Sequence, residues 1–261
     1  MGSYTFTVLA SGSRGNVAIL RTPLGSVLID AGLNGRQLEA RLREVGADWG
    51  EIRAVVLTHE HSDHIAGLPA LLKRTGAEIL ANRATWDSLG LNGEGRWREW
   101  PTGSTVGVLS GVEMDSFPVP HDAAEPVGLV VRAAGTVVGV ATDLGFATPV
   151  VVERLRGCGV LLLEANHDPA MLQADTKRPW AVKQRIANRH GHLSNGAAAE
   201  LLARVAGPEL RHVFLGHLSE DCNRPELAEQ IIAETLVQLG RSAVQVHRTH
   251  PERVSATVGL G

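Results

Sequence analysis

The stretch Val55-Val56-Leu57-Thr58-His59-Glu60-His61-Ser62-Asp63-His64 constrains this chain more than any other. An apolar, β-branched run reads as a strand of a sheet, and three histidines and an aspartate follow at once in the order HxHxDH. Neutral imidazoles and a carboxylate suit divalent metals, and the short spacing lets one loop feed two neighbouring ions. In extended geometry His59 and His61 point the same way, while Asp63 and His64, at the turn into a helix, address a second ion. A solvated turn would have no use for four such side chains behind an apolar strand.

The chain has 261 residues, 44% of them hydrophobic and 20% charged, enough to bury a full core as a single domain spanning 1–261. Its net charge of −3 gives no overall basic field, so nucleic-acid binding would have to come from a local patch. Two cysteines, Cys158 and Cys222, are too few for a disulfide framework. The first residues show no basic stretch ahead of an apolar core, and no apolar run reaches the ~20 residues of a membrane span. The expectation is a soluble cytoplasmic protein.

Strands are expected at Tyr4 to Ala10, Val17 to Arg21 and Ser26 to Asp30, and helices from Gln37 to Val45, about Ile65 to Arg74 and Arg83 to Leu89. Alternating strands and helices imply an α/β layered fold. Later strands end on polar side chains. Val112 to Val119 leads to His121, the hairpin of Val127 to Ala133 and Thr136 to Ala141 leads to Asp143, and Arg211 to Leu215 leads to His217. A histidine at a strand end can be held rigidly, and a carboxylate there can bridge two ions. A helix is expected over about Pro225 to Leu239.

Three further features bear on a polyanionic ligand. The turn Ser11-Gly12-Ser13-Arg14-Gly15-Asn16 exposes backbone amides, which makes Ser13 and Asn16 candidate phosphate contacts, although such turns also serve simply as hairpins. From Thr176 to Ala199 there is no acidic residue, while Lys177, Arg178, Lys183, Arg185 and Arg189 supply a basic patch able to follow a phosphate backbone. Residues 90 to 104 are glycine-rich and carry Trp97 and Trp100 beside Arg96 and Arg98, an arrangement that could stack on bases or pack onto its own domain. His167 and His190 read as structural.

The combination SGSRGN, LIDAG, THEHSDH, HDAAEPVG, TDLG, EANHD, GHLSN and GHLSEDCN resembles the YycJ/WalJ subfamily of bacterial metallo-β-lactamase-fold proteins, relatives of ribonuclease Z, over nearly the whole chain. The resemblance implies a four-layer αββα sandwich of two mixed sheets with a dinuclear site along one edge. It implies that His59, His61 and His121 hold one ion, that Asp63, His64 and His217 hold the other, and that Asp143 bridges them. Asp30 would stand behind a ligand histidine. Asp63, His192 and Glu164 form the implied catalytic set, with His192 serving the leaving alkoxide or the scissile phosphate and Glu164 orienting it. The ions would be zinc or manganese, with iron also compatible.

The implied activity is a metal-dependent phosphodiesterase, a 5′→3′ exonuclease on DNA rather than RNA, attacking with a hydroxide shared by the two ions. A small-molecule hydrolase of the same fold is the first alternative. A tRNA-processing ribonuclease is disfavoured because no long exosite insertion is present, and an oxygen-reducing diiron protein because no flavin domain is. A structural metal site in a binding protein is disfavoured because seven ligands shared by two ions leave positions open. The sequence leaves the oligomeric state open, a homodimer being compatible with it.

Overall fold

The strands at the centre of this chain are apolar on both faces, and an element of that kind must be covered on both sides. The structure, a computed structural model, describes residues 3–91 and 96–261. In chain order the strands are β1 (Tyr4–Ala10), β2 (Val17–Thr22), β3 (Gly25–Ile29), β4 (Ile52–Val56), β5 (Glu78–Ala81), β6 (Arg96–Glu99), β7 (Thr105–Leu109), β8 (Val112–Pro118), β9 (Val127–Ala133), β10 (Thr136–Ala141), β11 (Val160–Glu164), β12 (His212–Gly216), β13 (Gln245–Arg248) and β14 (Thr257–Leu260). The helices are α1 (Gly35–Glu44), α2 (Ser62–Ile65), α3 (Leu68–Arg74), α4 (Arg83–Ser88), α5 (Pro149–Leu155), α6 (Pro169–Ala174), α7 (Trp180–Ala187), α8 (Asn195–Val205) and α9 (Pro225–Gln238).

The strands form two mixed sheets of seven, ordered β14-β1-β2-β3-β4-β5-β6 and β13-β12-β11-β10-β9-β8-β7. Alternate residues of each central strand serve different layers. Phe6, Leu20, Val27 and Val56 of the first sheet meet Met114, Leu129, Val140, Leu162 and Phe214 of the second. Phe6 and Phe214 meet edge to face at 5.7 Å. The opposite faces, with Ile19, Leu28 and Val55 in one sheet and Leu161, Leu163 and Leu215 in the other, bury separate helical layers. This is the αββα sandwich.

Pairing directions matter for function. β3 and β4 are parallel, as are β10, β11 and β12, and β8 runs with β10 because both are antiparallel to β9. Asp30, His59, His121, Asp143, Glu164 and His217 therefore lie at or just beyond the carboxyl ends of these six strands. In α/β sheets that is the end where ligands bind.

The helix expected from about Ile65 to Arg74 is split into α2 and α3 at Gly67. The Gly67 N–H donates to the Ala31 carbonyl at 2.6 Å, and a Cβ there would sit 2.5 Å from the Leu33 oxygen. The part of the expected loop at 92–95 lies outside the described residues. The rest is not loop but the strand β6 and its exit. Trp97 stacks flat on Trp86 at 5.0 Å, and Trp100 is buried with its Nε1 donating to the Ser104 carbonyl at 3.1 Å. Both tryptophans are thus used inside the fold rather than offered to bases. α5, α6, β13 and β14 were not expected from the sequence. No helix among the described residues is long and apolar enough to cross a membrane.

Gly32 holds the metal-loop end together. Its N–H donates to the Asn16 carbonyl at 3.0 Å, and a Cβ there would lie 1.7 Å from the Asp63 oxygen. Gly32→Ala is expected to lower unfolding free energy by at least about 2 kcal/mol, read as a reduced urea midpoint, because backbone and not a flexible side chain would have to give way.

Candidate metal centre

Three residues at these strand ends adopt the left-handed conformation: Asp30 (φ 58°), Asp143 (φ 58°) and His217 (φ 51°). Side chains other than glycine adopt it at some cost, with Asp and His among the more tolerant. Each turn re-aims its side chain from the sheet toward the shared edge.

There the imidazoles are oriented from behind. His64 Nδ1 donates to Asp30 Oδ2 at 2.8 Å. Thr58 Oγ1 donates to the same carboxylate at 2.8 Å and lies 3.0 Å from His59 Nδ1, which it can serve as acceptor. His121 Nδ1 donates to the Gly191 carbonyl at 3.2 Å. With Nδ1 occupied, each ring turns Nε2 to the centre, as metal-binding histidines do. His61 is the exception, its Nδ1 lying 3.2 Å from His121 Nε2.

Ligand atoms of His59, His61 and His121 lie within 4.8 Å of one another, as do those of Asp63, His64 and His217, and those of His59, His64 and Asp143. Asp143 is common ground. Its Oδ2 lies 3.3 Å from His64 Nε2, and its Oδ1 lies 3.4 Å from His217 Nε2 and 3.6 Å from His192 Nδ1. Asp63 Oδ2 is 3.3 Å from His217 Nε2 and accepts from Asn16 Nδ2 at 3.1 Å. The side chains fit a divalent metal: His59 Nε2 and Asp143 Oδ2 are buried in the cluster without a hydrogen-bond partner among the described residues, as atoms that donate to a cation would be.

Charge follows from burial and neighbours. Burial lowers His59 well below the usual imidazole range and also lowers His121. At His64 burial acts downward too, but Asp30 and Asp143 outweigh it and hold the ring well above that range. Likewise Asp143, Asp63 and Glu164 overcome burial and raise His217 to about 9. At Asp143 burial acts upward, and His217 and His64 reverse it, leaving the carboxylate well below its usual range.

His192 stands beside this cluster with its Nδ1 donating to Glu164 Oε1 at 2.7 Å and its ring stacked on His217 at 5.0 Å. Glu164 is fully buried, and its Oε2 accepts from the Leu144 and Leu193 N–H groups at 3.0 and 3.1 Å. One carboxylate thus ties the loop after β10 to the loop before α8. Burial lowers His192, but Glu164 prevails and its pKa is raised.

A cleft of about 180 Å³ opens onto His61, Asp63, Asp143 and His192, with Ser13 on one side and Val182, Arg185 and Ile186 of α7 on another. Of the phosphate candidates, Ser13 and Arg185 border it. Arg185 pairs there with Asp122, the neighbour of His121. Asn16 does not act as expected: it is buried, and its side chain is spent on Ser11, Gly12 and Asp63. The basic patch also changes in three dimensions. Acids outside it meet it, Asp221 from far along the chain at Lys177 (2.7 Å) and Asp175, the residue just before the run, at Arg178 (2.9 Å). Lys183 donates to the Gln173 carbonyl, and Arg189 covers the Phe146 ring at 4.1 Å. A run free of acids in sequence is therefore not one in space.

Sequence reasoning missed Thr58 and Asn166. Asn166 Nδ2 lies 3.0 Å from His217 Nδ1 and donates to the His217 carbonyl at 2.8 Å. Both sit inside motifs already singled out, THEHSDH and EANHD, one residue from a side chain of obvious chemistry or two from Glu164.

Residues 26–217 match the β-lactamase superfamily domain, and the chain belongs to that family. Among its relatives, the chain is similar to the exodeoxyribonuclease YycJ of Bacillus anthracis, with 34% identity covering 95% of this chain and 96% of that protein. The exodeoxyribonuclease WalJ of Streptococcus pneumoniae serotype 2 (strain D39) is 33% identical over 90% of this chain and 89% of its own length. The resemblance read from the motifs is borne out. Among solved structures, the metallo-β-lactamase-fold protein YhfI of Bacillus subtilis superposes with a TM-score of 0.74 at 13% identity, covering 98% of this chain and all of that one, a likeness of fold.

Protons and cations are alternative ways of balancing Asp63 and Asp143. At neutral pH a cation would have to displace the proton of His217, raised to about 9, and that of His64, held well above its usual range. Zinc affinity measured by calorimetry is expected to rise with pH by up to about tenfold per unit for each of these protons, the His217 contribution ending near pH 9, with proton release shown by buffers of different ionisation enthalpy.

Proposed function

We propose that this chain is a dinuclear metal-dependent exonuclease that removes nucleotides from the 5′ ends of DNA. His59, His61 and His121 would hold one ion, Asp63, His64 and His217 the other, and Asp143 would serve both, with zinc or manganese as the metal. The observation that carries the hydrolytic reading is the convergence of seven donor side chains from both sheets, two of whose buried atoms, His59 Nε2 and Asp143 Oδ2, have no hydrogen-bond partner among the described residues. The similarity to proteins named exodeoxyribonucleases over nearly their whole length supports DNA as substrate.

Bound divalent cations supply Lewis acidity and a lowered pKa for water. The chain's own residues do the rest. His192 faces the cleft with its other nitrogen fixed on Glu164, and its raised pKa keeps it protonated for donation to the leaving oxygen. Ser13 and Arg185 lie at the rim where a phosphate would enter, and Arg185 exchanges Asp122 for that phosphate. The narrow cleft beneath α7 suits a strand end.

Two experiments test this reading. End-labelled single- and double-stranded DNA and RNA, given to protein resupplied with manganese or zinc, are expected to show mononucleotide release from DNA 5′ ends, lost by at least about 10³-fold in Asp143→Asn. Two ions per wild-type chain are expected by elemental analysis. Cleavage of bis(p-nitrophenyl) phosphate without cleavage of any polymer would replace this reading with a small phosphodiester as substrate. In Glu164→Gln the charge that raises His192 is gone, so His192 deprotonates at lower pH and the alkaline limb of kcat moves to lower pH. An unmoved limb would remove His192 as the proton donor.

A further inference from the structure

Helix α7 has no buried residue, yet it separates two cavities. Val182, Arg185 and Ile186 face the metal cleft. Trp180, Lys183, Gln184 and Ala187, at i, i+3, i+4 and i+7, form the opposite stripe and wall a second cavity of about 230 Å³ against α6. The metal centre does not use this second cavity.

Its composition is that of a site for a flat heterocycle. Trp180, 59% exposed, contributes an indole with little covering it, and Leu172 and Pro169 provide apolar surface. Polar groups stand among them. His167 forms part of the wall, is only 3% exposed, and has a buried Nδ1 without a hydrogen-bond partner among the described residues. Its backbone is fixed, since the Asn195 N–H donates to the His167 carbonyl at 2.9 Å and the Asp168 N–H to that of Cys222 at 2.9 Å. Gln173 and Gln184 add carboxamides, each offering a donor and an acceptor. An aromatic face with amide and imidazole groups around it binds a base by stacking and by its polar edge. A lipid or apolar peptide would have no use for the three polar side chains.

Position supplies the rest. Ala187 borders the second cavity, and Gly191 and His192, a few residues on in the chain, border the metal cleft. One helix, about 10 Å across, stands between them, a span of at most roughly three nucleotides of a strand whose spacing is at least about 3.4 Å. We infer that the cavity between α6 and α7 receives one base of the DNA strand, within about three nucleotides of the scissile phosphate, stacked on Trp180. This rests on the nuclease reading and adds to it a subsite that recognises a base as a ring and not by sequence.

The test uses 5′-phosphorylated DNA tetranucleotides, either intact or with one abasic position moved along the strand. Binding is read from quenching of tryptophan fluorescence and cleavage from end-labelled strands, with wild type, Trp180→Ala and Trp180→Phe. In wild type, an abasic residue at one position is expected to weaken binding and raise KM by roughly 5- to 100-fold, the range of base stacking on an aromatic side chain. Trp180→Ala is expected to weaken the intact strand by a similar factor and to erase the difference between intact and abasic strands, and Trp180→Phe to restore it. A wild type indifferent to every abasic position, or an abasic penalty that persists in Trp180→Ala, overturns the subsite while leaving cleavage standing. Base-dependent binding without any cleavage would retain the subsite and remove the nuclease reading.

Discussion

A carboxylate buried between two β-sheets is the constraint from which the rest of this molecule follows. Asp143 leaves the second sheet at β10 and approaches His64, which belongs to a loop of the first, and His217 and His192, which belong to the second. A charge in that position is stable only where positive partners surround it, and protonated imidazoles or a cation can fill that role. The sandwich is built to bring those partners to one edge. Apolar packing between the sheets, with Phe6 against Phe214, fixes their spacing, and the shared strand direction ensures that both sheets deliver side chains at the same end.

Around that carboxylate the order of rigidity is graded. Asp30, Thr58 and Glu164 are buried acceptors or relays, and each restrains more than one segment. Farther out, Ser11 and Asn16 connect the first loop of one sheet to the His217 turn of the other, since the His217 N–H donates to Ser11 Oγ at 2.8 Å. Outermost is α7, held by polar contacts such as Arg185 with Asp122 and Lys183 with Gln173 and not by burial. Chemistry that needs fixed geometry lies at the rigid end, while substrate entry is walled by a helix with no buried residue.

Much of this was legible in the residues themselves. HxHxDH after an apolar run gave the metal loop, and polar residues at three later strand ends gave the remaining members of the cluster. The strands read well because both faces are buried, leaving long apolar runs. What failed to read was spatial. The basic stretch around Lys177 and Arg178 meets Asp221, whose proximity no local pattern reports. Asn16 looks like a phosphate-cradling turn residue, but its amide is consumed by Asp63. Trp97 looks like a stacking residue for a ligand, and its stacking partner is Trp86. β13 and β14 went unseen because four residues with half-exposed faces carry little periodicity.

The place of β14 has a consequence for how the chain acquires its shape during synthesis. β14 follows every strand of the second sheet in sequence, yet it pairs with β1 in the first, Tyr4 opposite Leu260. Until it arrives, β1 is an edge strand with a row of unpaired backbone groups, the kind of edge that recruits other chains. The earliest-made sheet is therefore the last to be sealed, and the nascent chain must keep that edge solitary while the whole of the other sheet is still being assembled.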